Sequence, residues 1–207
     1  MKLGFNAYGW QFEKGVKGLA RSFRLAASAI DRAVDQALDA IREYQQHIAA
    51  GGDEIGEWDE DGVRVWTQDQ VLDFDLLNAR EAAMALRKAY ALQLYHFWER
   101  SAQVWTSSKA NTGHGELVEK TLAAGYPIDP RLEAVKHLAN TLKHGNPKHG
   151  KMLLKAWPAV VPIPFPHDPD LVGDWYEAVV ISEADVEEIA RIVMASGPSF
   201  RLADLYL

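Results

Sequence analysis

The sequence predicts a mostly α protein, an antiparallel bundle of long helices with a small extended or β element near the C-terminus. Two stretches, about 19–50 and about 68–107, carry apolar residues at spacings of three and four, which is the helical period. A third stretch, 130–145, has helix start and stop signals at its two ends. A chain of 207 residues has room for one such bundle with a substantial core.

Three regions are expected along the chain. Residues 1–16, rich in glycine and aromatic residues, are expected to form an irregular N-terminal arm, and residues 17–157 the helical bundle. Residues 158–207 are expected to combine a proline-rich extended segment, a short strand at "DWYEAVVI" and a C-terminal helix that packs on the bundle. Ser182 and Asp185 are spaced as a capping box for that last helix.

Local signals refine two of the other elements. Asp61–Gly62, between short apolar runs, predicts a small hairpin after the first helix. In the 130–145 helix, Asp129 stands at the expected N-cap, Pro130 in the first turn and Gly145 at the C-terminal end.

Composition restricts the classes of protein. The chain has no cysteine, which excludes disulfides and thiolate metal sites and suits a reducing compartment. No apolar run reaches the length of a signal peptide core or a membrane helix, so we expect a cytoplasmic protein without a membrane partner. The net charge of −7 argues against a surface that binds nucleic acid indiscriminately.

The charge is unevenly distributed. Between Asp53 and Asp75 there are nine acidic residues and one basic residue, Arg64. From Ala134 to His167 there is no acidic residue, and five lysines accompany four histidines. The acidic stretch is expected to be a solvated loop and helix start, or else a cover for the basic stretch of a partner subunit.

The basic stretch contains "HLANTLKHGNPKHGK", His137 to Lys151. On a helix His137, Asn140 and His144 fall on one face, because steps of three and four return to the same side. Lys143 and His144 alone are explained by the partial negative charge of the helix C-terminus. That explanation does not extend to Asn140 or to the basic residues beyond Gly145, and it leaves a phosphate-facing site as the alternative.

In that site His144 would act as general acid or base, for example toward a ribose 2′-hydroxyl, and Asn140 would hold a hydroxyl or phosphate oxygen. No metal and no cofactor is needed for this chemistry. The residues expected to contact the anion are Lys143, His137, Lys148, His149 and Lys151.

The helix ending "ANTLKH", Ala139 to His144, resembles the motif of HEPN domains (higher eukaryotes and prokaryotes nucleotide-binding). In that family a late helix of an all-α bundle ends in an arginine, a polar residue, three further residues and a histidine. Asn140 and His144 match, whereas Ala139 stands in place of the arginine. The resemblance implies a dimer with facing motifs and a metal-independent endoribonuclease of a defence or toxin–antitoxin system, whose partner would be an antitoxin.

The absent arginine leaves the activity open. Lys143, Arg100 of the long helix or an arginine of a second subunit would have to stabilise the phosphorane charge; otherwise the domain binds RNA and does not cut it. The helix around Arg100 is expected to bury Tyr95, Trp98 and Trp105 and to form salt bridges on its flank. Alternatively this helix is a second wall of the site, with Glu99 orienting a histidine.

Other kinds of site have less support. The pairs Glu43–His47 and Glu133–His137 are four apart and lack the Glu-x-x-His spacing of carboxylate metal bundles. No phosphate-binding loop or nucleophile elbow occurs. The sequence therefore predicts a HEPN-like RNA- or nucleotide-binding protein, with a non-catalytic helical interaction or assembly protein as the alternative.

Overall fold

The computed structural model describes residues 6–162, 168–169 and 172–200. These residues form six α-helices, one two-stranded sheet and a short 3₁₀ turn, so the prediction of a mostly α fold is confirmed. The elements are α1 (Ala7–Ala49), β1 (Gly56–Trp58), β2 (Arg64–Thr67), α2 (Gln68–Trp105), α3 (His114–Ala123), α4 (Leu132–His144), α5 (Pro147–Ala156), the 3₁₀ turn (Pro158–Val160) and α6 (Glu183–Met194).

The chain divides into two compact units. The first, called the histidine unit here, comprises residues 6–23 and the described residues from Arg87 to Phe200. The second, the hairpin unit, is Arg24–Leu86 and is described throughout. Helices α1 and α2 each contribute one end to each unit.

Aromatic side chains form the centre of the histidine unit. Phe12 of α1 stacks on Phe97 of α2 at a ring-centroid distance of 5.9 Å and meets Trp105 edge-on at 5.0 Å. Trp98 is fully buried, and its indole N–H donates a hydrogen bond to the backbone carbonyl of Ser196 beside α6. The expectation that the aromatics of α2 belong to the core is therefore confirmed.

The N-terminal arm was predicted wrongly, because α1 begins at Ala7. The Asn6 side chain accepts the backbone N–H of Tyr8 at 3.0 Å and so caps the helix. The residues read as irregular pack closely instead: a Cβ on Gly15 would lie 2.0 Å from the Phe97 ring. Residues 1–5 of the predicted arm lie outside the described residues.

The start of α4 also differs from the prediction. The helix begins at Leu132, and its N-cap position is Arg131, which makes no side-chain capping bond. Asp129 instead stabilises the preceding turn, where its carboxylate accepts the Arg131 N–H at 2.8 Å. The predicted end is confirmed, since Gly145 has a left-handed φ of 60° after His144.

The predicted C-terminal strand is wrong. Residues 175–178 form a turn, because the Asp174 carboxylate accepts the backbone N–H of Tyr176 at 2.8 Å and that of Glu177 at 3.3 Å. The buried Lys88 of α2 donates to the Tyr176 carbonyl at 2.7 Å and holds this turn in place. No strand occurs between 172 and 200, and the small sheet of the described chain lies at 56–67.

Two other C-terminal expectations can be compared with the structure. The proline-rich segment starts with a 3₁₀ turn and not an extended run, and residues 163–167 lie outside the described residues. Helix α6 has the predicted capping box between Ser182 and Asp185. No helix in the described part of the chain has the length and apolarity to cross a bilayer.

The hairpin unit contains the predicted β-hairpin. The Asp59 side chain accepts the Val63 N–H at 2.7 Å, and Gly62 takes a φ of 76°, which closes the turn between β1 and β2. At its base, the Tyr44 hydroxyl of α1 accepts the backbone N–H of Ile55 at 3.2 Å. The hairpin is thus anchored to the end of α1 by polar contacts.

Candidate anion-binding site

The junction of α4 and α5 is a tight turn whose shape follows from its sequence. Gly145 supplies the left-handed conformation that ends α4, and Asn146 caps α5 by accepting the His149 N–H at 3.1 Å. Pro147 occupies the first position of α5, where no N–H is required. The turn brings the rings of His144 and His149 to a centroid distance of 5.9 Å, inclined by 30°.

Exposed cations surround these two rings. Lys143 and Lys148 are exposed, and neither forms a hydrogen bond or ion pair with any residue that the structure describes. Lys151 is exposed one turn further along α5. Because no acidic residue occurs from 134 to 167, the positive charge of this turn is not neutralised by its neighbours in sequence. We call residues 143–151 the basic turn.

The three residues predicted to line one face do not project together into solvent. His144 is exposed and Asn140 half-buried, whereas His137 is only 6% exposed. His137 is buried because it lies on the same side of α4 as Leu138 and Thr141, which are also buried. His137 is therefore not at the surface where an anion contact was predicted for it. The two imidazoles at the turn are those of His144, which is exposed, and His149, which is half-buried.

His137 belongs to a polar network centred on Glu133, whose own side chain is 52% exposed. One Glu133 carboxylate oxygen lies 3.3 Å from His137 Nε2, and the other lies 3.0 Å from His114 Nε2 of α3. Lys136 forms an ion pair with the same carboxylate. His114 Nδ1 in turn lies 3.0 Å from the Tyr95 hydroxyl of α2, so the network connects α2 and α3 to the first turn of α4.

The pKa shifts of His114 and Tyr95 indicate which atoms of this network carry hydrogen. Burial lowers the pKa of His114 to about 4, so its ring is neutral at pH 7, and burial raises the pKa of Tyr95, which stays protonated. A carboxylate only accepts hydrogen bonds, so both imidazole Nε2 atoms that face Glu133 carry hydrogen. The Tyr95 hydroxyl then donates to His114 Nδ1, and every proton between Tyr95 and Glu133 has a partner.

Two imidazole nitrogens remain without partners. His137 Nδ1 and His149 Nδ1 are buried and form no hydrogen bond with any described residue. Burial lowers the pKa of both histidines, and nearby positive groups add to the effect: Lys136 for His137, and His144 and Lys148 for His149. Neutral His137, with its Nε2 hydrogen on Glu133, therefore presents a lone pair on Nδ1.

The position of the motif arginine is buried. Ala139 is 2% exposed, so a residue at this place in α4 faces the interior and not the basic turn. Arg100 lines a cavity of about 900 Å³ bounded by α2 and the loop after it, and no residue of α4 or α5 lines that cavity. Glu99 pairs with His96 at 3.3 Å, as expected for the salt-bridged flank of α2.

Sequence reasoning missed the network. The pair Glu133–His137 was weighed only for metal binding, His137 was otherwise predicted to contact an anion, and no role was predicted for His114. The available signal was the spacing of four between Glu133 and His137, which places a carboxylate against an imidazole on one helical face. Within the described residues no three His, Asp or Glu side chains are placed to hold a metal ion.

Comparisons of this chain with protein-family models, with curated proteins and with solved structures return no match.

Proposed function

We propose that the basic turn binds a phosphate group of RNA or of a nucleotide, and that the protein is a HEPN-like RNA- or nucleotide-binding protein. The supporting observation is the His144–His149 pair, two imidazoles 5.9 Å apart on a turn with two lysines that pair with no described residue. A phosphate between these rings would accept hydrogen bonds from the imidazole N–H groups, and Lys143 and Lys148 would neutralise its charge. The N-terminus of α5 adds partial positive charge.

The same pair supports metal-independent RNA cleavage as the candidate reaction. His149, which burial keeps neutral, would accept the proton of a ribose 2′-hydroxyl. The 2′-oxygen would then bond to the adjacent phosphorus while the bond from phosphorus to the 5′-oxygen breaks. His144, which is exposed, would act as the general acid and give a proton to the departing 5′-oxygen. The products are a 2′,3′-cyclic phosphate and a free 5′-hydroxyl.

Asn140 and Lys143 would act on the charged intermediate. Asn140 lies one helical turn before His144, half-buried, where its amide can reach an oxygen of a bound phosphate. Lys143 would balance the phosphorane charge in place of the family's arginine, as a point charge without a planar fork. The resemblance further implies a dimer and a defence or toxin–antitoxin role, which belong to the same proposal.

The test is cleavage of a mixed RNA pool by the purified protein in excess EDTA. We expect cyclic phosphate ends with the wild type, and a loss of at least 100-fold in rate with His144→Ala, because a general acid contributes about that much. His96→Ala is the matched control, since His96 is a half-buried histidine of α2 that pairs with Glu99, and its loss should leave the rate unchanged.

The binding part has its own readout. Lys143→Ala with Lys148→Ala should weaken RNA binding and reduce its dependence on salt, because two phosphate contacts are removed. Lys109→Ala, an exposed lysine in the loop after α2, is the control. Inert RNA with intact binding would reduce the proposal to a binding protein, and absence of binding would refute it.

A further inference from the structure

A cavity of about 210 Å³ lies between the N-terminal part of α1 and the C-terminal part of α2, within the histidine unit. Phe12, Phe97 and Trp105 line it, and Phe12 and Trp105 are almost completely buried. The ring planes of Phe12 and Phe97 are only 6° apart, and the plane of Trp105 stands at 82° to that of Phe12. Aromatic rings pair by offset stacking or edge to face, so these three side chains offer both kinds of contact to a further planar ring.

The volume of this cavity, called the ring cavity here, limits what it can hold. An apolar cavity of about 150 Å³ takes up benzene, so about 210 Å³ has room for a planar group of one or two fused rings. Tyr8 and Val104 also line the ring cavity and are 45% and 60% exposed. Solvent therefore reaches this side of the cavity, and a ligand can enter without opening the core.

Polar groups at the ring cavity have no partner within the described chain. The side-chain amide of Gln11 and the Ser101 hydroxyl line it, and neither forms a hydrogen bond with any residue that the structure describes. The Tyr8 hydroxyl likewise has no described partner. Aromatic walls with a few polar groups are the usual construction of a small-molecule site. The ring cavity thus suits an aromatic group that carries a polar substituent.

The cavity of about 900 Å³ that Arg100 lines, called the polar cavity here, borders the ring cavity. Phe97, Ser101 and Val104 line both cavities, and their spacing of four and three places them on one face of α2. The remaining residues of the polar cavity are Gln93, Arg100, Gln103, Ser107, Ser108 and Ala110. A substituent on a ring in the ring cavity can reach these side chains across the shared face.

Arg100 gives the pair of cavities its charge. It is the one charged side chain among the described residues that line them. Arg100 is exposed and forms no ion pair or hydrogen bond with any described residue, so its guanidinium is available to a ligand. A guanidinium binds a carboxylate through two parallel hydrogen bonds. Charge complementarity therefore favours a ligand with an anionic group.

We propose that the ring cavity and the polar cavity together bind a small aromatic acid, with its rings against Phe12 and Trp105 and its carboxylate paired with Arg100. A carboxylate carries a single charge that one guanidinium neutralises, whereas a phosphate dianion would need a second cation. Phe97 and Arg100 lie about 4.5 Å apart along the helix axis, so one or two carbon atoms between ring and carboxylate span the distance. No residue of the basic turn takes part, so this site is independent of the proposed phosphate site.

Titration with indole-3-acetate, followed by ¹H–¹⁵N NMR of the tryptophan side chains, tests the proposal. The indole N–H of Trp105 donates to the Thr121 hydroxyl at 3.2 Å. Its resonance should shift with a dissociation constant of about 1 mM or lower, as expected for a ligand of this size. Trp175 lines neither cavity, and its resonance should stay in place. Indole-3-ethanol, which has the same rings without the charge, should bind more weakly.

Two variants separate the two parts of the site. Arg100→Gln should weaken the binding of indole-3-acetate about tenfold, because charge-assisted hydrogen bonds are lost, and should leave that of indole-3-ethanol unchanged. Val104→Phe should weaken the binding of both ligands, because a larger side chain at the exposed side of the ring cavity occupies space that the ring needs. Leu122→Phe is the control for Val104→Phe, since Leu122 of α3 is 53% exposed and lines neither cavity.

An unshifted Trp105 resonance up to about 10 mM indole-3-acetate would overturn the proposal. So would equal affinity of the wild type and Arg100→Gln for indole-3-acetate, or undiminished binding by the Val104→Phe protein. Competition by inorganic phosphate at equal concentration would assign Arg100 to a phosphate ligand and would overturn it as well. The Trp175 resonance at its wild-type position shows that each variant keeps its fold.

Discussion

The histidine unit and the hairpin unit use the same two long helices differently. In the histidine unit, α1 and α2 bury Phe12, Phe23 and Trp98 almost completely. In the hairpin unit the same helices bury only Ala27 and Ala83. Similar apolar periodicity therefore leads to a filled core where α3 to α6 contribute side chains, and to an exposed stripe where two helices and a hairpin stand alone.

The two units also differ in charge. The hairpin unit has a net charge of −9 and the whole chain has a net charge of −7, so the rest of the chain has a net charge of +2. The proposed anion site lies in the positive part. Salt should accordingly weaken phosphate binding, because counterions compete for the same lysines.

The largest expected effect is on the core of the histidine unit. Trp98→Ala should lower the free energy of unfolding by about 3–5 kcal/mol, because it opens a cavity and removes the hydrogen bond to Ser196. Phe74→Ala should change the free energy of unfolding of the monomer by less than about 1 kcal/mol. Urea denaturation at low protein concentration measures both, and equal losses would contradict the contrast between the units.

A second prediction concerns pH and the network of Tyr95, His114 and Glu133. Because the pKa of His114 falls from 6.5 to about 4 on folding, its contribution to stability is complete above pH 6.5 and disappears as pH falls toward 4. The loss is on the order of 3 kcal/mol. Thermal unfolding of His114→Phe should show lower stability at pH 7.5 and a pH dependence smaller by about one proton.

If the slope between pH 6.5 and 4 were the same in His114→Phe and in the wild type, His114 would not be held neutral by burial. His96→Phe is the matched control, since His96 is half-buried and bonded only to Glu99 among the described residues. That substitution should leave most of the pH dependence in place.

The smallest effect is expected at two turn glycines, one in each unit. Gly145→Ala and Gly62→Ala each force a left-handed residue to carry a Cβ, at φ values of 60° and 76°, and each should cost about 1 kcal/mol. Only Gly145→Ala should also weaken phosphate binding, since Gly145 sets the approach of α5 to α4. Equal phosphate binding by both variants would show that the conformation of the turn at Gly145 does not determine binding at the site.

The helices could be predicted from sequence where periodicity and caps agree. The α4 end at Gly145, the α6 capping box and the long α2 follow from local chemistry, and each is confirmed. The start of α1 could not be predicted in this way. Gly15 suggests a break in a helix, and only the structure shows that the Phe97 ring packs closely against it. The strand expected near Trp175 failed because Asp174 and the buried Lys88 stabilise a turn there.

The candidate site was predicted in part. Helical periodicity along α4 correctly places Lys143 and His144 at one end of the helix. The approach of His149 to His144 could not be predicted, because it depends on the geometry of the turn at Gly145. Burial decides the rest: His137 and His144 are seven residues apart on one face, yet one is covered and the other exposed. The bonds among Tyr95, His114 and Glu133 join residues far apart in sequence, so no local pattern reveals them.

Histidine-ring ¹H–¹⁵N NMR during titration with a ribonucleoside monophosphate at constant pH tests the central claim most directly. The account predicts that the resonances of His144 and His149 shift along one saturation curve, while those of His47 and His96 stay in place. Unchanged His144 and His149 resonances at saturating nucleotide, or shifts at His47 or His96 instead, would contradict the account.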